Sequence, residues 1–210
     1  MTDTATLPLD RTVPILEGAK RAFAEKGFDG ASMQDLARAA GMSAGNFYRY
    51  FASKNAIVEA IIAHDLAEVE ADFQHIIRSD DPLQYLMQAL TSRIDGARCA
   101  ADGPLWAEIL AAAARRPEIA GVLCTMETAV ISNLLAIFGR VSGLTGAAAA
   151  ARFSGHAAFI VFLLKGAMQY PANETCQVPQ KLRSDLREQI LSTMQQTLND
   201  VASAATQSTD

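Results

Sequence analysis

The chain is short of the residues that build extracellular scaffolds and catalytic centres. It has only 3 cysteines in 210 residues, Cys99, Cys124 and Cys176, widely separated and without a CxxC pair. An odd, scattered set of thiols excludes a disulfide framework and a zinc motif, and reads as small buried hydrophobes in a reduced compartment. The 3 histidines, His64, His75 and His156, form no HExxH, and His64 and His75 lie about three helical turns apart, too far to share a metal ion. No phosphate-binding glycine loop or nucleophile elbow occurs either. No enzymatic activity, metal or cofactor is therefore expected.

Helix breakers are scarce too, with 7 prolines and 13 glycines. Apolar residues recur every three or four positions instead of alternating, so an all-α fold is expected. The longest uncharged runs, residues 128–139 and 153–164, are about a dozen residues, short of the roughly 20 that a membrane helix needs. They read as buried core helices, with no membrane association. The opening MTDTATLPLD has neither a basic patch nor an apolar run. It reads as a disordered arm, residues 1–10, on a cytoplasmic protein.

Positive charge is lacking overall, at 18 Lys and Arg against 23 Asp and Glu. The deficit is uneven. Residues 11–54 hold seven basic side chains (Arg11, Lys20, Arg21, Lys26, Arg38, Arg49, Lys54) against four acids (Glu17, Glu25, Asp29, Asp35). A locally cationic unit on an acidic body suggests a polyanion-binding head and a body with another task.

Within that head the pattern predicts three helices. The first covers residues 13–26, with Ile15, Ala19, Ala22 and Phe23 on one face, and stops at Gly27 as a left-handed cap. Ser32 opens SMQD, close to a capping box although Asp35 replaces the usual Glu. The second helix, residues 33–40, buries Leu36 and Ala37 and ends at Gly41. Ser43 caps a third helix over residues 44–51, by way of the amide of Gly45 or Asn46. Two helices joined by a short glycine turn form a helix-turn-helix.

The stretch GMSAGNFYRYFASKN, residues 41–55, places four rings in five positions. At 100° per residue Phe47 and Phe51 share the core face with Phe23, Phe28 and Leu36. Tyr48 and Tyr50 turn outward, where their hydroxyls can donate to phosphate oxygens, while Ala44 and Gly45 permit close approach to a groove. Arg49 is assigned either to the groove or to solvent. If all four rings were core, the motif would be an αα corner; the cationic surplus, the caps and Lys54 favour the DNA-binding reading.

These residues resemble the TetR family of bacterial transcription regulators. The likeness is carried by Ala22, Phe23, the run AEKGFDGASMQDLARAAGMSAGNFYRYFASKNAIVEAI, and the spacing of Gly41, Ser43, Phe47, Tyr48, Tyr50, Phe51 and Lys54, about the first quarter of the chain. The resemblance implies a homodimer with two DNA-binding heads, each on a helical body that holds an inducer pocket. It makes Ser32 and Gln34 phosphate or groove contacts and places Ser43, Ala44, Gly45 and Asn46 at the start of the recognition helix. Tyr48 and Tyr50 become backbone contacts, and Lys54 matches the lysine that caps the site at the next helix. Serine instead of threonine at position 32, and Ala-Gly-Asn at 44–46, leave the operator sequence open.

The division expected is a head at residues 11–54 and a body at 55–210. Body helices are predicted over residues 55–77, 83–99, 105–114, 117–141, 147–170 and 180–204, with breaks at DGP (102–104), RRP (115–117), SGLTG and PANETCQVP. LWAEILAAAARRPEIAGVL also resembles the body of several family members, less specifically. Ala151, Gly155, Phe159 and Leu163 on one late helix, and Leu182, Leu186, Ile190, Met194 and Leu198 on the other, have the periodicity of a dimer interface or of packing within the chain. Tyr85, Met87, Cys99, Trp106, Met126, Phe153, His156 and Phe159 are candidates to line an effector pocket. His156 is either its polar contact, a hydrogen-bonded core histidine or an interface residue. The function expected is a repressor that binds a palindromic operator in double-stranded DNA as a homodimer and is released by a small-molecule effector. The alternative is a DNA-binding regulator whose body serves only dimerisation.

Overall fold

The structure, a computed structural model, describes the backbone of residues 9–95, 97–169 and 178–207 and the side chains of residues 12–95, 103–168 and 178–204. Among the described residues there are nine α-helices and no strand: α1 (Leu9–Gly30), α2 (Met33–Ala39), α3 (Ala44–Tyr50), α4 (Lys54–Arg78), α5 (Pro82–Asp95), α6 (Ala97–Ala113), α7 (Pro117–Ser142), α8 (Gly146–Gln169) and α9 (Gln180–Gln207). The all-α expectation holds. The chain forms two compact units, one of Met1–Asp65 with Ala101–Cys124, the other of Leu66–Ala100 with Thr125–Asp210.

Three differences from the sequence pattern have physical reasons. The first helix starts at Leu9, inside the expected arm, and Pro14 lies in its second turn, where the ring removes one i→i−4 hydrogen bond. The rest of that arm lies outside the described residues. The expected break at residues 102–104 is absent: α6 runs through Pro104. Leu105, Ile109 and Ala112, at most 1% exposed, fall on one buried stripe just beyond it, and such burial outweighs the local helix penalty of one proline. Finally, α7 and Gly146–Met168 of α8 are long and apolar enough to cross a membrane by length and composition, with mean hydropathy 1.7 and 1.6. Scattered charges interrupt the runs without lowering the average, and only 17% and 28% of the two apolar windows is buried, so the expectation of fully buried core helices does not hold for them.

The first unit is built on the spacing of Ile15, Leu16, Ala19, Ala22 and Phe23 along α1, all buried. They meet Leu36 and Ala37 of α2, Phe47 of α3, and Ile57, Val58, Ile61 and Ile62 of α4, also buried. The α1 segment breaks at Gly27, which has φ 73 and ψ 164, a conformation that glycine adopts without strain. Gly18 answers a different need. A Cβ there would lie 2.5 Å from the Ala39 carbonyl oxygen and 2.6 Å from the Ala40 Cα, so only a missing side chain lets α1 cross the end of α2 this closely. Inside the same unit the Lys20 ammonium bridges Asp65 at 2.9 Å and Glu17 at 3.3 Å, which ties α1 to α4.

The two helices of the turn motif are capped at both ends. Ser32 and Asp35 form a complete capping box: the Asp35 amide donates to Ser32 Oγ at 3.1 Å and the Ser32 amide to Asp35 Oδ2 at 3.0 Å. Asp thus does the work usually given to Glu. At the other end Met42 N–H donates to Ala37 O at 2.9 Å and Gly41 N–H to Arg38 O at 3.0 Å, with Gly41 at φ 68. This is a Schellman closure. Asn46 N–H then donates to Ser43 Oγ at 3.4 Å and opens α3.

The second unit packs α5, α8 and α9 against one another. Its core is Val69, Phe73 and Ile76 of α4 with Leu86, Leu90, Leu134, Ile137, Phe138, Phe153, Ala157, Ile160, Val161, Met194, Leu198 and Val201.

Two outcomes are expected from these geometries. Gly18→Ala should lower Tm by several degrees, for a loss of about 1–3 kcal/mol from overpacking; an unchanged thermal transition would contradict the close crossing. The Lys26 ammonium, then the Ser32 hydroxyl and amide, hold the Asp35 carboxyl well below its ordinary 3.8. Its stabilising contribution is therefore complete above about pH 4 and is lost as pH falls towards the depressed folded value. Asp35→Asn should be less stable at neutral pH and lose less stability on acidification from pH 4 to pH 2 (both approximate) than the parent chain, as urea titrations would read.

Candidate DNA-binding site

A seven-residue helix is below the length that holds itself in water, so α3 is oriented by what it buries. Phe47 is 0% exposed and Phe51 6%, their rings 5.3 Å apart. Tyr48 is 51% exposed and Tyr50 36%. The rings divide as their spacing predicts. Arg49 between the tyrosines is exposed and carries no ion pair among the described residues.

Ser32, Gln34, Ser43, Gly45 and Asn46 are also exposed, and Ala44 is half-buried. Gly45 does not have a positive φ, and a Cβ there would meet nothing within 4 Å. The fold itself therefore places no demand for glycine at 45. Two of the hydroxyls are engaged in the helix caps, Ser32 with Asp35 and Ser43 with Asn46. Ser32 donates its hydroxyl to Asp35, whereas Ser43 only accepts from the Asn46 amide and keeps its O–H for an outside acceptor.

The cationic surplus of the head is largely committed to internal partners. Lys20 faces Asp65 and Glu17, and Lys26 and Arg38 face Asp35. Lys54 differs most from its sequence reading. Its ammonium donates to the Phe28 carbonyl at 2.7 Å and the Asp29 carbonyl at 3.2 Å, 5.0 Å from the Phe28 ring centroid. It clamps the start of α4 to the end of α1, which leaves one of an ammonium's three hydrogens for an outside anion.

Opposite Lys54, the Phe28 amide donates to Glu108 Oε2 at 2.9 Å. Arg116 lies over the Phe28 ring at 4.5 Å and pairs with Asp29 at 2.5 Å, and Arg115 pairs with Asp29 at 3.3 Å. These arginines, the Arg116 hydrogen bond first, hold the Asp29 carboxyl below its ordinary range. This cluster has no signature in the local sequence. RRP registered only as a helix break, and one glutamate in an alanine-rich helix carries no local signal of a contact 80 residues away.

The expected pocket residues do not converge among the described side chains. Met87 lines a groove of about 700 Å³ between α5 and α9, with Gln84, Gln88, Thr91, Gln195 and Asn199. Phe153 and His156 border a second hollow of about 410 Å³ with Arg152 and Asp200, His156 standing edge-on to Phe153 at 5.7 Å. Tyr85 and Phe159 are 42% and 43% exposed, Met126 is half-buried in the second unit, and Trp106 belongs to the first. The Cys99 side chain lies outside the described residues.

The expected interface residues divide as well. On α8, Ala151, Gly155 and Phe159 are exposed, together with Phe162 at 70%, and Leu163 is half-buried. On α9, Leu182 is 51% exposed and Leu186 and Ile190 are half-buried, whereas Met194 and Leu198 are 0% exposed. The last two correct the leucine-stripe reading: they fill their own unit's core beside Phe153 and Val201.

Comparison with known proteins bears on the head most directly. The family model described as bacterial regulatory proteins, tetR family, matches residues 15–61. The HTH-type transcriptional regulator UidR of Escherichia coli K12 is 33% identical over 112 residues, 52% of this chain and 55% of UidR. The HTH-type transcriptional repressor AcnR of Corynebacterium efficiens is 36% identical over 89 residues, 39% of this chain and 47% of AcnR. The chain thus spans about half the length of the curated relatives it matches. The solved structure of Salmonella enterica GusR aligns over 92% of this chain and 100% of its own, with a TM-score of 0.67 and 26% identity. A matching head, sequence relatives that share it and a solved neighbour of the same full-length architecture lead to one assignment: residues 15–61 form a head of the kind found in the tetR family of bacterial regulatory proteins.

Proposed function

We propose that the chain is a cytoplasmic transcription repressor that binds a palindromic DNA operator as a homodimer and releases it when a small molecule occupies its body. The observation that carries the DNA-binding part is the division of α3, with Phe47 at 0% exposure and Tyr48 at 51% beside an exposed Arg49 that has no ion pair among the described residues. Phenol hydroxyls and a guanidinium presented together from a rigid helix suit phosphate oxygens. Gly45, free of any demand from its own fold, lets the helix backbone come close to base edges, where Asn46, Gln34 and Arg49 can select among them. Ser32, Ser43, Ala44 and Tyr50 border the same surface, and Lys54 offers its remaining hydrogen there.

Dimerisation follows from the reach of one such helix, which covers only a few base pairs. A twofold pair reads half-sites separated by about 34 Å or a multiple of it. The exposed stripe of Ala151, Gly155, Phe159 and Phe162 on α8, with Leu182, supports α8 and α9 as the surfaces that meet. Small residues let helices approach and the two phenylalanines need apolar cover. Repression is supported by AcnR, which is named a transcriptional repressor. An effector releases DNA only if it binds the DNA-incompetent conformation more tightly than the competent one.

Three variants test these roles by fluorescence anisotropy on duplex DNA across a salt series. Tyr48→Ala should weaken binding about tenfold or more with Tm unchanged, the size of one lost charge-assisted contact. Arg49→Ala should reduce the slope of log affinity against log salt by about one unit. Wild-type affinity and slope in both would sink the phosphate-contact reading of α3. Phe162→Glu should shift sedimentation towards monomer; a dimer of undiminished stability would remove α8 from the interface.

A further inference from the structure

Residues 27–30 are gripped from two sides by side chains distant in sequence. The Phe28 carbonyl accepts from Lys54 and its amide donates to Glu108, so both backbone polar groups of that residue are taken by side chains. The ring is stacked on Phe23 at 5.6 Å and covered by the Arg116 guanidinium at 4.5 Å. Asp29 is held by Arg115 and Arg116. Gly27 completes the arrangement, since a Cβ there would stand 3.0 Å from the Glu108 carboxylate. Immediately afterwards Ala31 N–H bonds to Gly27 O at 3.1 Å and Ser32 caps α2.

We infer that Glu108, Arg115 and Arg116, at the end of α6 and the turn into α7, are positioning residues for DNA recognition. They hold residues 27–30 in place and, through them, the start of α2. The cluster lies wholly within the first compact unit, which takes in Ala101–Cys124 together with the N-terminal helices. The head is thus completed by a piece of chain that its local sequence pattern does not include. This rests on the DNA-binding reading of α3 but assigns a role to residues that touch no DNA themselves. Pre-setting the first helix of the motif removes an ordering cost that would otherwise be met on binding.

The test uses the full-length chain and a duplex selected from random sequence by the wild-type protein. Glu108→Ala should weaken specific binding about tenfold, the size of one hydrogen bond to a charged group, and leave the salt slope for mixed-sequence DNA unchanged. Glu108→Gln should restore most of the affinity, because its amide oxygen still accepts the Phe28 N–H. Amide exchange at Phe28 and across residues 31–35 should quicken in Glu108→Ala and not in Glu108→Gln. Arg116→Lys, which keeps the charge but loses the planar stack, gives the same readings if Glu108→Ala does not fold, with an intermediate loss expected. Wild-type affinity and exchange in Glu108→Ala, or in Arg116→Lys where it replaces it, would overturn the inference while leaving the DNA-binding reading intact. Failure of the wild-type chain to select any duplex would overturn the DNA-binding reading, and this inference with it.

Discussion

Burial of Phe47 is the constraint on which the proposed DNA-facing surface depends. Helix α3 has seven residues and cannot hold its direction through its own hydrogen bonds. Full burial of one ring, with Phe51 packed beside it, fixes the rotation of the helix about its axis. Once that rotation is set, the 100° step per residue decides everything else on α3. Tyr48, Arg49 and Tyr50 must face outward, and Gly45 and Asn46 must stand at the leading end.

The head spends most of its charge on holding itself together. Lys20, Lys26, Arg38 and Lys54 are committed to acids or carbonyls of the same unit, so the outward cationic field is narrower than a count of basic residues suggests. Among the described residues what remains is Arg21 on α1 and Arg49 on α3, both exposed. A short list of outward donors on a rigidly held helix favours selectivity over general attraction to polyanions, because fixed donors discriminate geometry while a diffuse cationic surface does not.

The parts of this architecture legible in the sequence are those set by local rules. Caps at Ser32 and Ser43, the glycine closure at Gly41 and the inward and outward rings of α3 all follow from neighbours within five residues. The parts that were not legible depend on contacts across the chain. Gly18 reads as an ordinary helix residue until Ala39 and Ala40 are seen against it. Glu108 and Arg116 have no local pattern that ties them to Phe28. Met194 and Leu198 carry the same four-residue spacing as Leu182, and spacing alone cannot say whether such a stripe meets its own core or a partner. Pro104 reads as a stop, and the burial that overrides it comes from packing that the local sequence does not record. An effector pocket is the least legible feature of all, because a filled core and a binding site draw on the same residue types.

The most direct measurement of the account is selection from a random duplex library by the purified wild-type protein, followed by footprinting of the enriched sequence. An enriched inverted repeat is expected whose half-sites lie about 34 Å or a multiple apart, protected on both halves. Enrichment of no sequence, or of a single unpaired half-site with no second footprint, would contradict it.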